Sequence, residues 1–443
     1  MFPLRAIFLT RRAFLAGWSV VLLLVLGWFW APALIAGKLA VLALVLLIAA
    51  DLYVLFGDRT GITAQRRTLE RWSNGDVNPV TIQLKSEYGI DMRLRVLDEL
   101  PFQFQKRDLV FSAAIPAWER REFDYTVRPV QRGVYRYGAI QAYVSSDLGF
   151  VERRFSLEAA KEVAVYPSYL QLRKYELLAI SDRLTLAGIK RVRRVAQHAE
   201  FERIKEYVPG DDRRTVNWKA TARRGRMMVN QYQDERAQQV FALIDTGRVM
   251  KMPFEGLSLL DHAINASLVI SSIAMRKEDR AGLITFSDKV HDVLAASRQR
   301  GQMQKIMQVL HAQGTDHRET DIEALFGAVR RNIHQRSLLL LFTNFESVNA
   351  LKRQLPYLQR LARQHLVVPI FFLNTELDKD LKQRPSNTED LYIHTLTERA
   401  VHEKRLIARE LERSGLPAIL CKPEDLTVNV INRYLQIKAR GTL

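Results

Sequence analysis

The side chains best equipped for chemistry lie between Glu200 and Arg223, where the chain reads EFERIKEYVPGDDRRTVNWKATAR. The adjacent carboxylates of Asp211 and Asp212 are followed by Arg214, so this stretch can form ion pairs within itself or with another protein. Covalent catalysis needs a nucleophile beside a general base, and this stretch offers no such pair. The residue types therefore favour a structural ion-pair network or a partner-binding surface over a catalytic site.

The same stretch also predicts one short helix. Either aspartate suits the cap of a helix over Arg213–Arg223, and Gly225 stands where that helix would end. Trp218 and Ala222 are spaced to share one helix face, which predicts a buried contact between them. The residues that we assign to this partner-binding or structural motif are Glu200, Tyr207, Gly210, Asp211, Asp212, Arg214, Trp218 and Arg223.

Strands and helices alternate through the C-terminal half of the chain, which predicts a mainly parallel sheet with helices on both faces. Ser337–Phe342 and Leu366–Leu373 are continuously apolar, as expected of strands buried on both faces. Ligands of such sheets bind beyond the carboxyl ends of the strands. Three loops reach that edge, and they begin at Asp245, Glu319 and Thr343.

From Val80 to Pro167 the pattern changes to an alternation of apolar and polar residues, as in Met92–Leu97. Turn residues separate several such short runs, which predicts a small antiparallel β-sandwich without evident chemistry. The sequence therefore predicts a multidomain chain. Its parts are a helical hairpin over residues 1–60, a β-rich sandwich-like domain over 75–170, and an α/β domain over 180–443 that contains the motif at 200–223.

Two apolar runs, Ala13–Ala31 and Ala33–Ala50, stand at the N-terminus. Each is close to the length of about 20 residues that crosses a membrane, and Pro32 leaves room only for a tight turn. We expect a transmembrane helical hairpin; a cleaved signal peptide and a buried core hairpin are the alternatives. Arginines flank both ends of the pair. The positive-inside rule therefore places the N-terminus and the domains after the hairpin in the cytoplasm, at the cell inner membrane.

The formal net charge of +18 favours anionic partners, which include lipid headgroups, acidic proteins and nucleic acid. The basic run Lys190–Arg194, together with Arg223, could face membrane lipids. The chain has no recognisable RNA- or DNA-binding motif, so we favour lipid and protein partners over nucleic acid. A single cysteine, Cys421, excludes an intrachain disulfide and fits a reducing compartment.

The three loops at the sheet edge resemble those of the von Willebrand factor A fold, a Rossmann-type α/β domain. In that fold a strand-end Asp-x-Ser-x-Ser, a distant Thr and a second strand-end Asp bind a divalent cation. Asp245 and Thr320 match this pattern here. Gly247 and Val249 stand at the two serine positions, and Asn344 stands at the second Asp position. Because Mg²⁺ prefers several hard oxygen ligands, the resemblance implies a degenerate metal site, with Asp245 hydrogen-bonding neighbouring loops instead.

The segment from Tyr207 to Arg223 closely resembles the signature of a bacterial family, domain-of-unknown-function family 58 (DUF58). Two earlier segments match in the same order, RGVYRYG at Arg132–Gly138 and SSDLGF at Ser145–Phe150, so the resemblance covers nearly the whole chain. The C-terminal part of this family is von Willebrand A-like. The family usually occurs beside MoxR-type AAA+ ATPases and transglutaminase-like membrane proteins, and the resemblance supplies no reaction.

These observations predict a membrane-anchored, non-enzymatic adaptor or scaffold. Its cytosolic von Willebrand A-like domain would bind protein partners in envelope assembly or maturation, and the resemblance implies a MoxR-type AAA+ ATPase as the partner. The sequence leaves two alternatives open, a Mg²⁺-dependent binding module and a basic nucleic-acid-binding membrane protein. No cofactor is expected apart from Mg²⁺ at the degenerate site.

Overall fold

The computed structural model describes residues 6–57, 61–106, 109–157, 161–180, 200–208, 211, 216–233, 237–254, 256–373 and 388–441. The chain forms two compact units, Met1–Tyr166 and Pro167–Leu443, and each is described by itself. The separation of a hairpin domain from a sandwich domain within the first unit stays a prediction.

Two helices, α1 (Arg11–Leu26) and α2 (Ala31–Gly57), lie near the N-terminus. They approach closely at Gly37, where a Cβ would lie 2.7 Å from the Leu24 side chain. Helix α2 has the length and composition of a membrane span, with a mean hydropathy of 2.7 over a window that is 11% buried. No other helix in the described part of the chain meets the same criteria. Helix α1 is shorter than the predicted first span because the backbone turns after its 16 residues.

The rest of the first unit consists of short strands. They are β1 (Ile7–Leu9), β2 (Ile62–Thr68), β3 (Arg71–Ser73), β4 (Asn78–Ser86), β5 (Met92–Asp98), β6 (Val110–Ile115), β7 (Arg120–Val127), β8 (Gly133–Arg136), β9 (Ile140–Ser145), β10 (Val151–Leu157) and β11 (Glu162–Tyr166). Their sheet orders are β1-β10-β9-β5-β6, β2-β4-β7 and β3-β11-β8. All these pairs are antiparallel except β3–β11. The alternation predicted from the sequence puts apolar residues such as Ile82 and Leu94 into the core.

The sequence pattern predicts a single strand over Val134–Val144, but the structure has two strands there, β8 and β9. The backbone leaves the ladder between β8 and β9, where Tyr137 N–H donates to Lys161 O and Gly138 N–H donates to Glu99 O. A Cβ at Gly138 would lie 2.7 Å from Cβ of Glu99, so the crossing requires glycine.

The C-terminal end of α2 packs against the strands of the first unit. Leu55 is fully buried in the core that these strands form. The buried carboxylate of Asp51 accepts hydrogen bonds from Ser146 Oγ at 2.5 Å and from the N–H groups of Phe150 and Val151, each at 2.8 Å. These bonds hold the end of α2 against the segment between β9 and β10.

The second unit contains ten strands among the described residues. They are β12 (Glu200–Glu206), β13 (Met228–Gln233), β14 (Gln239–Asp245), β15 (Pro253–Phe254), β16 (Leu257–Ser258), β17 (Arg280–Phe286), β18 (Val290–Ser297), β19 (Leu338–Phe342), β20 (Leu366–Phe372) and β21 (Ile419–Cys421). Six of them form a central sheet in the order β18-β17-β14-β19-β20-β21. Neighbours in this sheet are parallel except β17 and β18.

Helices cover both faces of this sheet. The helices of the second unit are α3 (Tyr169–Ile180), α4 (Trp218–Arg224), α5 (Leu259–Arg276), α6 (Gln302–Ala312), α7 (Ile322–Asn332), α8 (Val348–Gln364), α9 (Thr388–Arg413) and α10 (Leu426–Arg440). One core joins the sheet to α5, α6 and α10, and a second core joins it to α7, α8 and α9. The predicted α/β arrangement is therefore confirmed at this level.

Candidate functional site

Asp245 ends β14 at the carboxyl edge of the central sheet, and it is fully buried. Its Oδ2 accepts hydrogen bonds from Thr320 Oγ1 at 2.7 Å and from Thr343 Oγ1 at 2.6 Å. Its Oδ1 accepts the N–H of Gly247 at 2.8 Å. The structure thus brings Asp245 and Thr320 together, and it adds Thr343, which follows β19 and which the sequence analysis names only as the start of a loop.

Burial dominates the ionisation of this carboxyl group. Loss of solvent raises the pKa of Asp245 from 3.8 to about 6, with a smaller contribution from the negative charge of Asp316. The hydrogen bonds from Thr343, Thr320 and Gly247 act in the opposite direction because they favour the charged form. At neutral pH the group is therefore mainly a carboxylate held by three donors.

Gly247 makes the contact between Asp245 and Thr320 sterically feasible. A Cβ at this position would lie 2.9 Å from Thr320 Oγ1, 3.0 Å from Arg318 O and 3.0 Å from Asp245 Oδ1. The space that a serine side chain would need at this position is therefore filled by the Asp245 carboxylate, the Thr320 hydroxyl and the Arg318 carbonyl oxygen.

We expect Gly247→Ala to destabilise the second unit by about 1–3 kcal/mol, because the added methyl group overpacks this cluster. Cys421 provides the probe, since it is the sole cysteine, lies 6% exposed at the end of β21, and reacts with thiol reagents only when the unit opens. Gly314→Ala is the control, because its Cβ meets nothing within 4 Å. Equal urea midpoints for the two variants would contradict the steric argument.

The side chain of Asn344 bonds to Lys404 and Val249 rather than to Asp245 or Thr320. Its Oδ1 accepts a hydrogen bond from Lys404 Nζ at 2.7 Å, and its Nδ2 donates to Val249 O at 3.3 Å. The three residues predicted as a degenerate metal site, Asp245, Thr320 and Asn344, therefore bond to other protein groups through their side-chain oxygens.

A second cluster, next to the first, was missed in the sequence. The ligand atoms of Asp288, His291 and Asp316 lie within 4.8 Å of one another, a spacing that could hold a metal ion. His291 Nε2 is 3.3 Å from Asp316 Oδ2 and 2.9 Å from Ser287 Oγ. Arg318 Nη1 donates to Asp288 Oδ2 at 2.5 Å. Only the Asp-x-x-His spacing was visible, because Asp316 comes from a distant loop.

The geometry of this cluster does not match a catalytic triad. In a triad the serine and the aspartate contact different nitrogens of the histidine ring. Here Ser287 Oγ and Asp316 Oδ2 both face Nε2 of His291. The hydrogen bond from Arg318 lowers the pKa of Asp288. A metal ion at this cluster would have to compete with the Arg318 guanidinium for the Asp288 carboxylate.

The segment of the DUF58 signature forms a hairpin, in which β12 and β13 pair antiparallel and α4 lies in the connection. Glu200 opens β12, and Tyr207 N–H donates to Met227 O at 2.8 Å. Gly210, Asp212 and Arg214 lie outside the described residues. Asp211 accepts from Lys205 Nζ at 2.8 Å and from Val208 N–H at 3.0 Å, and the bond from Lys205 lowers its pKa.

The helix predicted over Arg213–Arg223 begins later than expected. Val216 still bridges to Val229 in extended conformation, and Asn217 caps α4 by accepting the N–H of Ala220 at 3.0 Å. An aspartate cap is therefore wrong for this helix. Its predicted end is confirmed, because Gly225 adopts the left-handed conformation with a φ of 66°.

The predicted buried contact between Trp218 and Ala222 is wrong. Trp218 is 71% exposed, and Ala222 is exposed as well. Thr221 is the residue of α4 that faces the hairpin, since its Oγ1 accepts the N–H of Met228 at 3.0 Å. The hairpin and α4 also carry further exposed apolar and basic side chains. We call the whole set the motif surface: Ile204, Val208, Trp218, Lys219, Arg223, Arg224, Arg226 and Met227.

The region that contains most of this hairpin matches a family of known sequences. Residues 203–391 match the model of a family described as protein of unknown function DUF58. The uncharacterised protein YeaD of Bacillus subtilis is 23% identical over 204 residues, which are 44% of this chain and 50% of that protein. The chain therefore spans about half the length of this curated relative.

Two solved structures resemble parts of the chain distantly. A conserved hypothetical protein, BatB from Bacteroides thetaiotaomicron, is 11% identical with a TM-score of 0.33, over 46% of this chain and 99% of that one. A CARDB domain from Pyrococcus furiosus is 16% identical with a TM-score of 0.17, over 24% of this chain and 86% of that one. Both are too remote to support an argument about function. Residues 203–391 therefore match the DUF58 family of proteins of unknown function, and the YeaD relative is a distant likeness of part of the chain.

Proposed function

We propose that the chain is a membrane-anchored, non-enzymatic interaction protein that binds a protein partner through the motif surface. The observation that supports this most directly is the 71% exposure of Trp218. Tryptophan is over-represented among the residues that dominate binding energy at protein interfaces, and it is costly to leave such a side chain in water. A tryptophan placed on the outside of a two-stranded hairpin therefore suits a contact with another protein.

The charge around Trp218 indicates the chemistry of that partner. Lys219, Arg223 and Arg224 are exposed on the same short helix, and they favour an acidic surface. Arg226 is partly neutralised by Glu206 at 3.2 Å. The family resemblance implies a MoxR-type AAA+ ATPase as the partner, in assembly or maturation at the envelope.

The proposed anchor is the pair α1 and α2, inserted as a hairpin in the inner membrane. Trp28 and Phe29, between the helices, are 87% and 83% exposed, as expected of residues that meet lipid. Strand β1 precedes α1 and pairs with β10, while Asp51 near the end of α2 bonds to Val151 of β10. Both ends of the pair therefore meet one sheet, which supports one membrane side for both, and the basic flanks favour the cytosol.

A von Willebrand A-like fold is part of the proposal for the second unit. Counted from β14, the strand order of the central sheet is 3-2-1-4-5-6, the order of doubly wound nucleotide-binding folds. The order reverses between β14 and β19, and ligands of such folds bind at this point. Asp245 and Thr343 meet at this point and are joined by a hydrogen bond. This contact supports a ligand-binding fold in which the loops that would hold a cation bond to each other instead.

Trp218→Ala should reduce recovery of the partner more than tenfold when the tagged full-length protein is purified from its native membrane in mild detergent. Loss of a central interface tryptophan costs about 2 kcal/mol or more, and each 1.4 kcal/mol is about tenfold in affinity. Trp118→Ala is the matched control, since Trp118 is 64% exposed but lies in the first unit.

Unchanged protection of Cys421 in Trp218→Ala would show that the second unit remains folded. Equal recovery of all partners by both variants would contradict a role for the motif surface. Loss of a partner that is not an AAA+ ATPase would retain the interaction surface and refute the MoxR assignment.

A further inference from the structure

A cavity of about 260 Å³ lies at the carboxyl ends of β19 and β20. Its walls are largely apolar and include Met252, Phe254, Leu259, Phe372, Val401 and Pro423. The polar residues in its lining are Asn344, Glu346 and Lys404. Ligand pockets of proteins begin at about 300 Å³ and combine an apolar lining with a few polar groups. This cavity therefore has the composition of a site for a small ligand and is close to the usual minimum size.

Lys404 supplies the positive charge in this wall. Its Nζ donates to Asn344 Oδ1 at 2.7 Å and to Phe345 O. An ammonium group has three N–H donors, so one donor of Lys404 has no acceptor among the described residues. Burial lowers the pKa of Lys404 to about 8, which shows how poorly its surroundings replace water. An anion in the cavity would supply the missing acceptor.

The carboxylates nearest to Lys404 are bonded to other groups. Glu346 accepts a hydrogen bond from Arg248 Nη2 at 3.2 Å, and Glu403 accepts the N–H of Val348 at 3.2 Å. Both carboxylates favour the charged form of Lys404, but neither is hydrogen-bonded to its Nζ in the described structure. Lys404 is therefore available to an anionic ligand.

We propose that this cavity binds a small monocarboxylate with an apolar body. The carboxylate accepts the remaining N–H of Lys404, and the apolar body packs against Phe254, Leu259 and Phe372. This site is separate from the motif surface, so the proposal does not depend on the partner that the chain binds.

The test is a calorimetric titration of the detergent-solubilised full-length protein with hexanoate, with hexanol as the uncharged analogue. We expect hexanoate to bind with a Kd of about 1 mM or tighter, and at least tenfold more tightly than hexanol. Lys404→Met should lower the affinity for hexanoate at least tenfold and leave that for hexanol unchanged. The hexanoate affinity should also fall as the pH rises above about 8, as Lys404 loses its proton.

A second variant tests the cavity without touching the charge. Ala400 lines the cavity, and Ala400→Phe should abolish binding of both compounds by filling the space. Protection of Cys421 verifies that each variant is folded. Equal affinities for hexanoate and hexanol, or hexanoate binding that both variants retain, would overturn the proposal.

Discussion

Asp98→Ala should destabilise the first unit by about 3–5 kcal/mol, because it removes the partner of a fully buried arginine. The side chains of Arg66 and Asp98 are both 0% exposed, and Arg66 Nη2 lies 2.5 Å from Asp98 Oδ1. Tyr125 also donates its hydroxyl to Asp98, and the Arg66 guanidinium stacks over the Tyr137 ring at 4.2 Å from its centroid. Desolvation raises the pKa of both tyrosines, so they remain neutral donors within this cluster.

The matched variant is the double replacement Arg66→Met/Asp98→Leu. It removes both charges and should recover most of the stability that Asp98→Ala loses, since buried ion pairs are often replaceable by apolar side chains of similar volume. Urea unfolding followed by hydrogen exchange in β4 and β5 would measure the loss. Asp124→Ala is the surface control, because Asp124 is exposed and its carboxylate accepts a hydrogen bond from Thr81 on the neighbouring strand. A double variant less stable than Asp98→Ala would contradict the charge argument.

The parts of the fold that were predictable are those set by local pattern. The sequence pattern predicts a helix over Val348–Gln364, and α8 has these bounds because Ser347 caps its start and its apolar residues repeat at helical spacing. The continuous apolar strands β19 and β20 are buried on both sides, as predicted. Gly225 ends α4 because only glycine adopts its left-handed conformation without strain.

The parts that were not predictable depend on distant segments. Trp218 is exposed because the other side of α4 meets the hairpin. Helical spacing shows which residues share a face of α4, but it does not predict which face is buried. Asp316 joins Asp288 and His291 only because two loops meet at the sheet edge. Lys404 reaches Asn344 across 60 residues of sequence. Side-chain clusters of this kind require the tertiary structure, whereas Asp245 was found because its strand ends on it.

The largest pH-dependent effect should arise at Asp245. Its pKa is about 6 in the folded chain against 3.8 as the reference value, so the native state binds more protons than the unfolded state between these pH values. The stability of the wild type therefore falls as the pH rises through this window. Since one pKa unit corresponds to 1.36 kcal/mol, the total loss is about 3 kcal/mol. Asp245→Asn lacks this titration, so its stability relative to the wild type should rise by about that amount between pH 4 and pH 6.5.

Urea unfolding followed by labelling of Cys421, with a thiol reagent that reacts in acid, would measure this difference in the second unit. Asp288→Asn is the control, because the pKa of Asp288 is lowered and its contribution to stability is lost only below the reference value of 3.8. The difference in stability between Asp288→Asn and the wild type should therefore stay constant between pH 4 and pH 6.5. A flat difference for Asp245→Asn would mean that burial does not raise the pKa of Asp245.

Asp245→Ala separates the hydrogen bonds of this carboxylate from its charge. The replacement leaves the hydroxyls of Thr320 and Thr343 and the N–H of Gly247 without their acceptor. An unsatisfied buried donor costs about 1–3 kcal/mol, so Asp245→Ala should destabilise the second unit by about 3 kcal/mol or more at neutral pH. The side chain in Asp245→Asn still offers an acceptor oxygen to these donors. Asp245→Ala should therefore be less stable than Asp245→Asn at every pH. If the two variants were equally stable, the three donors would not depend on this side chain, and the cluster would not be what joins β14, β19 and the start of α7.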